Sequence, residues 1–587
     1  MQFDVNVTNS PAAGMVQVRL SRRDLLGASA GAAMLATAAV PSSLVARSTP
    51  EDGQAAGPVL PLYPHGQVLS LNPHRAANWA PHWILLPYVW EGLLGFDAQG
   101  QVVPVLASAI EAENNGQVWV ASIRSDATFV SGNPVTAEAM ISSWKRALQG
   151  QRIAPMSGYM RRVEGFEAFV AGESEDIGFE ARDERTVAIR LAEPYALFPE
   201  DLATFVWAAV DVEALADVPE SQLPFSDASA GQWRFVEVTE TGDIVMALGD
   251  DLNSALAPPF SNVTWRPFEG PLAAEEAVEA LREDEVALAD APAFVRVAVE
   301  DDEQLSRNLE VIDPLGSTML IGMDFGQQPF NDPRVRRAVA HAIDRERWAT
   351  EIMGGEFVPA ESITPPVIAA TSGYTPPELL AFDPELARSL VREAGITEEE
   401  MPTITYFQPA DTPEPEVEEA AALLAMIQEN SGLVIEHDRS LTAEQIDARR
   451  RDEGGLQLDL RWWWPLTNSP SGLADLGLPA STAMDGWFNW SESLENTDAA
   501  DAALAFEEII DQAQTTMDQA ERNELFSEAE TLLVENAVYI SLGHWVQAFI
   551  RSNQLQGTRH GAFTGYMPIA FDQDVEWSPP DDGTPVG

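Results

Sequence analysis

Along the chain, short apolar runs of five or six residues are interleaved with longer stretches in which apolar residues recur every three to four positions. That interleaving predicts an α/β chain. Residues 118–123 and 186–191 read as strands. The best-written helix opens at Asn331-Asp332-Pro333, which supplies a cap and a proline for the first turn. It continues with Val335, Ala338, Val339, Ala342 and Ile343 at i, i+3, i+4, i+7 and i+8, so one stripe should be buried. Asp344 can cap the helical segment that follows, which stops at Gly354-Gly355, and Asp383-Pro384 opens another that ends at Gly395. Residues 502–532 form a long helical region broken near Asp518, which predicts a helical pair. The acidic, alanine-rich stretch 267–299 shows no tandem repeat and reads as a solvated helix between sheet segments, and the Pro/Gly/Asp-rich tail beyond Trp577 reads as disordered.

With 587 residues and 45% apolar content, the chain is long enough for two or three domains. Its 92 Asp and Glu against 34 Lys and Arg give a net charge of -58, a field that repels phosphate backbones and anionic lipid surfaces. Nucleic acid is thereby excluded as an expected partner. Lys145 is the only lysine. That depletion fits life in salt, where self-repulsion is screened, and equally a genome that writes arginine for lysine. The absence of cysteine excludes disulfides, thiolate metal sites, thiol nucleophiles and a lipid-modified amino-terminal cysteine.

The first segment, 1–46, reads as an address. Arg22-Arg23 stands directly ahead of the mildly apolar run 25–40, whose small residues leave cleavage points between Ala38 and Ala46. A spanning helix needs about 20 strongly apolar residues, so export by the twin-arginine route and release are expected rather than anchoring. The expected location is periplasmic or extracellular, without a lipid anchor. No HExxH, GxSxG or phosphate-binding glycine loop is present, and His65, His74 and His82 lie at gaps that do not suit a metal site. His341 reads as a polar surface or boundary residue. No enzyme, cofactor or metal is expected, a secreted hydrolase being the distant alternative.

Three blocks give the chain a family likeness. The first runs from Leu71-Asn72-Pro73-His74 through Glu91-Gly92-Leu93-Leu94-Gly95-Phe96-Asp97 to Pro104-Val105-Leu106-Ala107. The second joins Ile123-Arg124, Ala127, Phe129, Gly132, Pro134-Val135-Thr136-Ala137-Glu138 and Ser143-Trp144-Lys145-Arg146. The third is Pro329-Phe330-Asn331-Asp332-Pro333-Arg334-Val335-Arg336-Arg337-Ala338 continuing to Ala342-Ile343-Asp344-Arg345. In this order they resemble the extracellular solute-binding proteins of the oligopeptide and dipeptide importers. Ala139 departs from the acidic residue usual at that helical position, which removes a capping partner.

The resemblance implies a two-lobed α/β fold of the periplasmic-binding-protein type with an additional domain. Residues 58–90, 223–315 and 545–577 would form lobe I, 91–222 the inserted domain, 316–544 lobe II and 578–587 a flexible tail. It also implies a function: a monomer that captures peptides or peptide-like solutes between the lobes and delivers them to an ABC transporter permease driven by a separate ATPase. The same scaffold binding another solute, such as an oligosaccharide stacked on tryptophan faces, is the alternative.

Leu458-Asp459-Leu460-Arg461-Trp462-Trp463-Trp464-Pro465-Leu466 is an alternating strand that runs into three tryptophans, so Trp462 and Trp464 should face one way and Trp463 the other. The family's strand ends in a glycine-tryptophan pair beside the ligand, which falls on Trp462-Trp463, and Trp463 resembles the ligand-lining tryptophan. Core packing of all three is the plainer reading. The same matching puts Arg451 on a carboxylate-binding arginine, although a run such as Arg449 to Arg451 is by default solvated. It also puts Trp79 and Met156 on positions that line the cleft, Met156 standing where a tyrosine is usual. Leu466 occupies the place of an aspartate that pairs with a peptide's ammonium group. Either Asp459 or Asp475 has taken over that charge, or the ligand presents no free amino terminus there.

Replacing Arg22 and Arg23 with lysine should leave uncleaved precursor in the cytoplasm; fractionation followed by immunoblotting reads this directly, and normal export of the double variant would contradict it.

Overall fold

The computed structural model describes residues 57–62, 70–77, 80–97, 100–149, 153–249, 258–268, 272–312, 316–397, 399–452, 456–465, 468–478, 490, 497–557 and 575–578. Arg22, Arg23, Trp79, Leu466 and the tail beyond Ser578 lie outside them.

A six-stranded sheet runs in the order Phe357–Pro359, Tyr539–Trp545, Thr318–Met323, Leu458–Trp463, Thr403–Phe407, Val434–Asp438. Its strand Thr318–Met323 is apolar at most positions and buried at nearly all of them, as a strand covered on both faces must be. It pairs antiparallel with both neighbours, whereas Thr403–Phe407 runs parallel to Leu458–Trp463 and to Val434–Asp438. A three-stranded sheet is ordered Leu288–Asp290, Gln547–Arg551, Leu309–Ile312. The chain passes between these two sheets twice, once between Ile312 and Thr318 and back through Val546 alone. The strands on either side of the junction are paired with each other, Ile312 with Gln547 and Thr318 with His544.

Two four-stranded sheets complete the larger part of the architecture. One is ordered Val59–Leu62, Asn262–Pro267, Ile244–Leu248, Trp233–Val238, and the other Ala107–Glu113, Val118–Ile123, Thr186–Arg190, Phe179–Ala181. The two strands expected at 118–123 and 186–191 are thus antiparallel neighbours.

The helix signals in the sequence act as written. Asp332 accepts the Arg334 N–H at the start of Pro333–His341, and the stripe Val335, Ala338, Val339, Ala342 and Ile343 is buried against the six-stranded sheet. Asp344 accepts from Arg347 N–H, and Gly354 and Gly355 take φ of 58° and 81° where the segment ends, a region open to glycine at little cost. Asp518 caps Gln519–Glu535 and so separates it from Thr497–Thr515, the expected pair. One expectation is corrected. Residues 267–299 are not a solvated helix but two helices, Ala273–Arg282 and Ala293–Val299, with strand Leu288–Asp290 between them. Ala273, Ala274, Ala277, Val278, Ala280 and Leu281 are buried, since small alanines let this helix lie close on its sheet while its glutamates cover the other side.

Buried polar groups tie the blocks together. His74 of the first block accepts through Nδ1 from Arg146 Nη1 of the second at 2.8 Å, and Arg146 and Arg75 both pair with Glu220. Burial, and then the two guanidinium charges, hold the His74 pKa well below the ordinary histidine value, so the imidazole is neutral and can accept. Arg336 of the third block is fully buried, its guanidinium 3.6 Å from the centroid of the Phe325 ring and its donors on the carbonyls of Phe330 and Asn536.

Glu530, on helix Gln519–Glu535, is buried and accepts four hydrogen bonds. They come from the backbone N–H groups of Ile363 and Thr364 at 2.7 and 3.1 Å and from the hydroxyls of Thr364 and Tyr374, each at 2.6 Å. Glu530→Ala strands those donors and should destabilise the protein by about 3 kcal/mol or more in urea unfolding, with Glu530→Gln losing clearly less. Equal losses for the two variants would show that the carboxyl oxygens do not hold this loop.

Candidate functional site

Strand Leu458–Trp463 alternates between two environments. Its register sets Trp463 beside Thr318 and His544, Arg461 beside Leu320 and Ser541, and Asp459 beside Gly322 and Tyr539, all on one face of the sheet. Leu458 and Leu460 face the other way, into the apolar cluster built on helix Pro333–His341. Trp462 and Trp464 share that opposite side. Trp462 is 40% exposed, stacks on Trp464 with ring planes 8° apart, and meets Trp545 and Phe357 edge-on or tilted. The opposed orientation expected of the tryptophans is therefore seen.

Trp463 is 2% exposed and lies at the end of the strand nearest the two inter-sheet passages. Gly472 makes room for it. A Cβ at that position would stand 3.1 Å from Trp463 Cζ2 and 2.7 Å from Pro465 Cβ, so the turn can approach the indole only without a side chain. Among the described residues the indole Nε1–H is buried without a hydrogen-bond partner, and so are the hydroxyls of Ser317 and Ser541. Unpaired buried polar groups cost about 1–3 kcal/mol each, and these three belong to the passages and the strands that flank them.

Other polar groups of this face have partners, though His544 Nε2 is buried with none among the described residues. Thr318 Oγ1 donates to Ile363 O at 2.9 Å and lies 3.0 Å from His544 Nδ1. Burial pushes the His544 pKa down to about 3, against a hydrogen bond to the Ser317 backbone, and leaves a neutral ring. Tyr539 donates to Leu476 O at 2.8 Å. Asp459 and Arg461 form an ion pair of 2.6 Å with both side chains largely buried. The sequence reading named Asp459 but not its partner; the i, i+2 spacing on a strand was the signal that puts the two on one face.

The other proposed residues divide. Met156 is buried at the start of the turn Ser157–Met160, and it shares one apolar cluster with Trp463. Trp462 faces away from that cluster's side of the sheet, so it and Trp463 do not line one surface. Arg451 lies in helix Ala443–Asp452, its side chain outside the description, while Arg449 sits over the Phe407 ring at 4.8 Å. Asp475 stands near Asp201. Burial pushes the Asp201 carboxyl up to about 7, against Arg162 and Arg161, with Glu200 and Asp475 adding to the rise. Among the described residues no group of three or more His, Asp or Glu could hold a metal ion, and no helix is long and apolar enough to cross a membrane.

The sequence profile described as bacterial extracellular solute-binding proteins, family 5 Middle, matches residues 101–485. The periplasmic oligopeptide-binding protein OppA of Escherichia coli is 23% identical over 512 residues, covering 86% of this chain and 89% of that protein. The probable deoxycholate-binding periplasmic protein YgiS of the same organism is 24% identical over 528 residues, covering 88% and 91%. Among solved structures, the periplasmic murein tripeptide-binding protein MppA in its unliganded open form superposes with a TM-score of 0.71 at 20% identity, over 89% of this chain and 98% of that one. The fold is thus the two-lobed α/β fold of periplasmic binding proteins.

Trp463→Ala should weaken binding of a captured solute by about 2 kcal/mol or more, and because the ring is buried it should also cost about 3 kcal/mol of fold stability. Trp463→Phe separates the two effects, keeping most of the packing while removing the N–H. Calorimetry should show weaker binding with a urea midpoint close to the parent's; unchanged binding would remove the N–H as a ligand donor.

Proposed function

The chain belongs to the bacterial extracellular solute-binding proteins of family 5, and on that premise we propose that it captures a peptide or peptide-like solute between its lobes and delivers it to the permease of an ABC importer. The observation that carries this reading is Trp463. Its buried indole has an N–H without a partner among the described residues, beside the place where the chain crosses between sheets. A cleft at a hinge excludes water when it shuts, and donors left unpaired by the protein are then available to a solute. Lobe I is proposed as 58–90, 223–315 and 545–577, the inserted domain as 91–222 and lobe II as 316–544. The junctions between the two sheets, after Ile312 and at Val546, support the limits given for lobe II. Export by the twin-arginine route as a monomer without a lipid anchor, a separate ATPase and the absence of turnover complete the reading.

A second reading, a solute without a free ammonium group, has a specific observation in its favour. Leu466 stands where the peptide-binding aspartate is usual, and the carboxylate of Asp459 is already matched by Arg461 at 2.6 Å. An ammonium buried without a counter-charge is costly. One relative is named a probable deoxycholate-binding protein, and deoxycholate carries no ammonium group.

Calorimetry with one tripeptide, free and amino-terminally acetylated, decides between them. With no ammonium site the two forms should bind within about twofold; a preserved site should lose several kcal/mol on acetylation. That large penalty would restore an ordinary peptide-binding mode, and failure of both forms to bind would set the peptide reading aside.

A further inference from the structure

The last turn of helix Thr497–Thr515 is completed by groups from a distant part of the chain. The final carbonyls of an α-helix have no partner within it. Here Gln514 O accepts the backbone N–H of Ala196 at 2.7 Å, and Gln514 Oε1 accepts Arg162 Nη2 at 3.1 Å. The Arg162 guanidinium lies 3.7 Å from the centroid of the Tyr195 ring, which steadies it while it brings positive charge to the negative end of the helix.

Further contacts join the same two regions. Ser471 Oγ donates to Glu200 Oε2 at 2.9 Å. Gly116 approaches so closely that a Cβ there would be 3.0 Å from Met517 Sδ. Tyr195 and Phe198 share an apolar cluster with Phe506, Ile510 and Ala513. Residues 116, 162, 195, 196, 198 and 200 belong to the inserted domain, and 471, 506, 510, 513, 514 and 517 to lobe II.

We propose that this contact is a closure latch: Thr515 and Thr516 serve the carbonyls of Asp511, Gln512 and Ala513, lobe II leaves Gln514 O to a partner, and the inserted domain supplies it with Ala196 N–H and holds the Gln514 side chain with Arg162, so that the lobes are drawn together by protein groups as well as by solute. Separating the lobes exposes a carbonyl that water can serve and releases Arg162 from Gln514. The polar part of the contact is thus exchanged for water at little cost, and what opening gives up is the apolar surface shared by Tyr195, Phe198, Phe506, Ile510 and Ala513. This inference rests on the two-lobe division proposed above.

The chain's lack of cysteine makes the test direct. Glu193→Cys and Asp511→Cys are exposed positions on the two sides of the contact and take one spin label each. Without added solute, the doubly labelled protein should give a dominant narrow distance by pulsed electron resonance. Adding Arg162→Leu and Gln514→Leu should move more than half of the population out of that peak, with circular dichroism and the urea midpoint near those of the labelled parent. Should that variant unfold, the single changes Arg162→Lys and Gln514→Ala are read instead, and each should broaden the peak in part. An unchanged distribution in the folded variants would overturn the latch. Because no solute is present, a protein that binds no peptide leaves this result intact, and a failed latch leaves the peptide titration intact.

Discussion

The proposed capture between lobes depends on one junction, where the strands that leave and enter the six-stranded sheet stay paired with each other on both sides. Ile312 is paired with Gln547 on one side of the junction and Thr318 with His544 on the other, and Val546 is the whole of the return passage. Strands bonded on both sides of such a junction cannot slide along one another without breaking their ladders, so the motion left to them is bending and twisting. The Thr318 hydroxyl, shared between His544 and Ile363, fixes one flank. On the other side of the sheet, Val546 N–H donates to Glu356 O, and Ala293 N–H donates to the Glu356 carboxylate at 3.0 Å. The segment that holds Glu356 thus touches strands and helices on both sides of the junction.

Trp463 takes its meaning from this frame. Its buried indole lies on the face beside the junction, whereas Trp462, one residue earlier, belongs to an aromatic stack on the opposite face of the sheet. Adjacent identical side chains thus acquire different roles through the pleat of a strand alone. The Asp459–Arg461 pair works in the same way. It places charge on the Trp463 face but cancels it locally, so the polarity of that face comes from N–H and O–H groups rather than from a net charge.

Much of the scaffold was legible in the sequence because its signals are local. Caps at Asp332, Asp344, Asp383 and Asp518, paired glycines at 354 and 355, and apolar recurrence at i, i+3 and i+4 each act within a turn or two. What was not legible depends on partners far away in the chain. Arg336 lies inside a helix whose charged neighbours Arg334 and Arg337 are exposed, and only Phe325, Phe330 and Asn536 make its burial tolerable. The stretch 267–299 looked solvated because its glutamates were counted, while its alanines decided the packing. For the site, alternation along the strand told which way Trp463 points. It could not tell that Gly472 would make room for the ring.

The order of strands in the six-stranded sheet also bears on how the protein is made. Thr318–Met323, at its centre, is flanked by Leu458–Trp463 and Tyr539–Trp545, and the second of these is synthesised long after the strand it covers. Until then one edge of the central strand has no neighbour, and a bare apolar edge invites pairing with other chains. Ribosome-bound intermediates and prematurely terminated chains would therefore carry an adhesive surface that the finished protein lacks. A chaperone bound to residues 318–323 during synthesis would have to give way to 539–545, the strand that finally hides that edge.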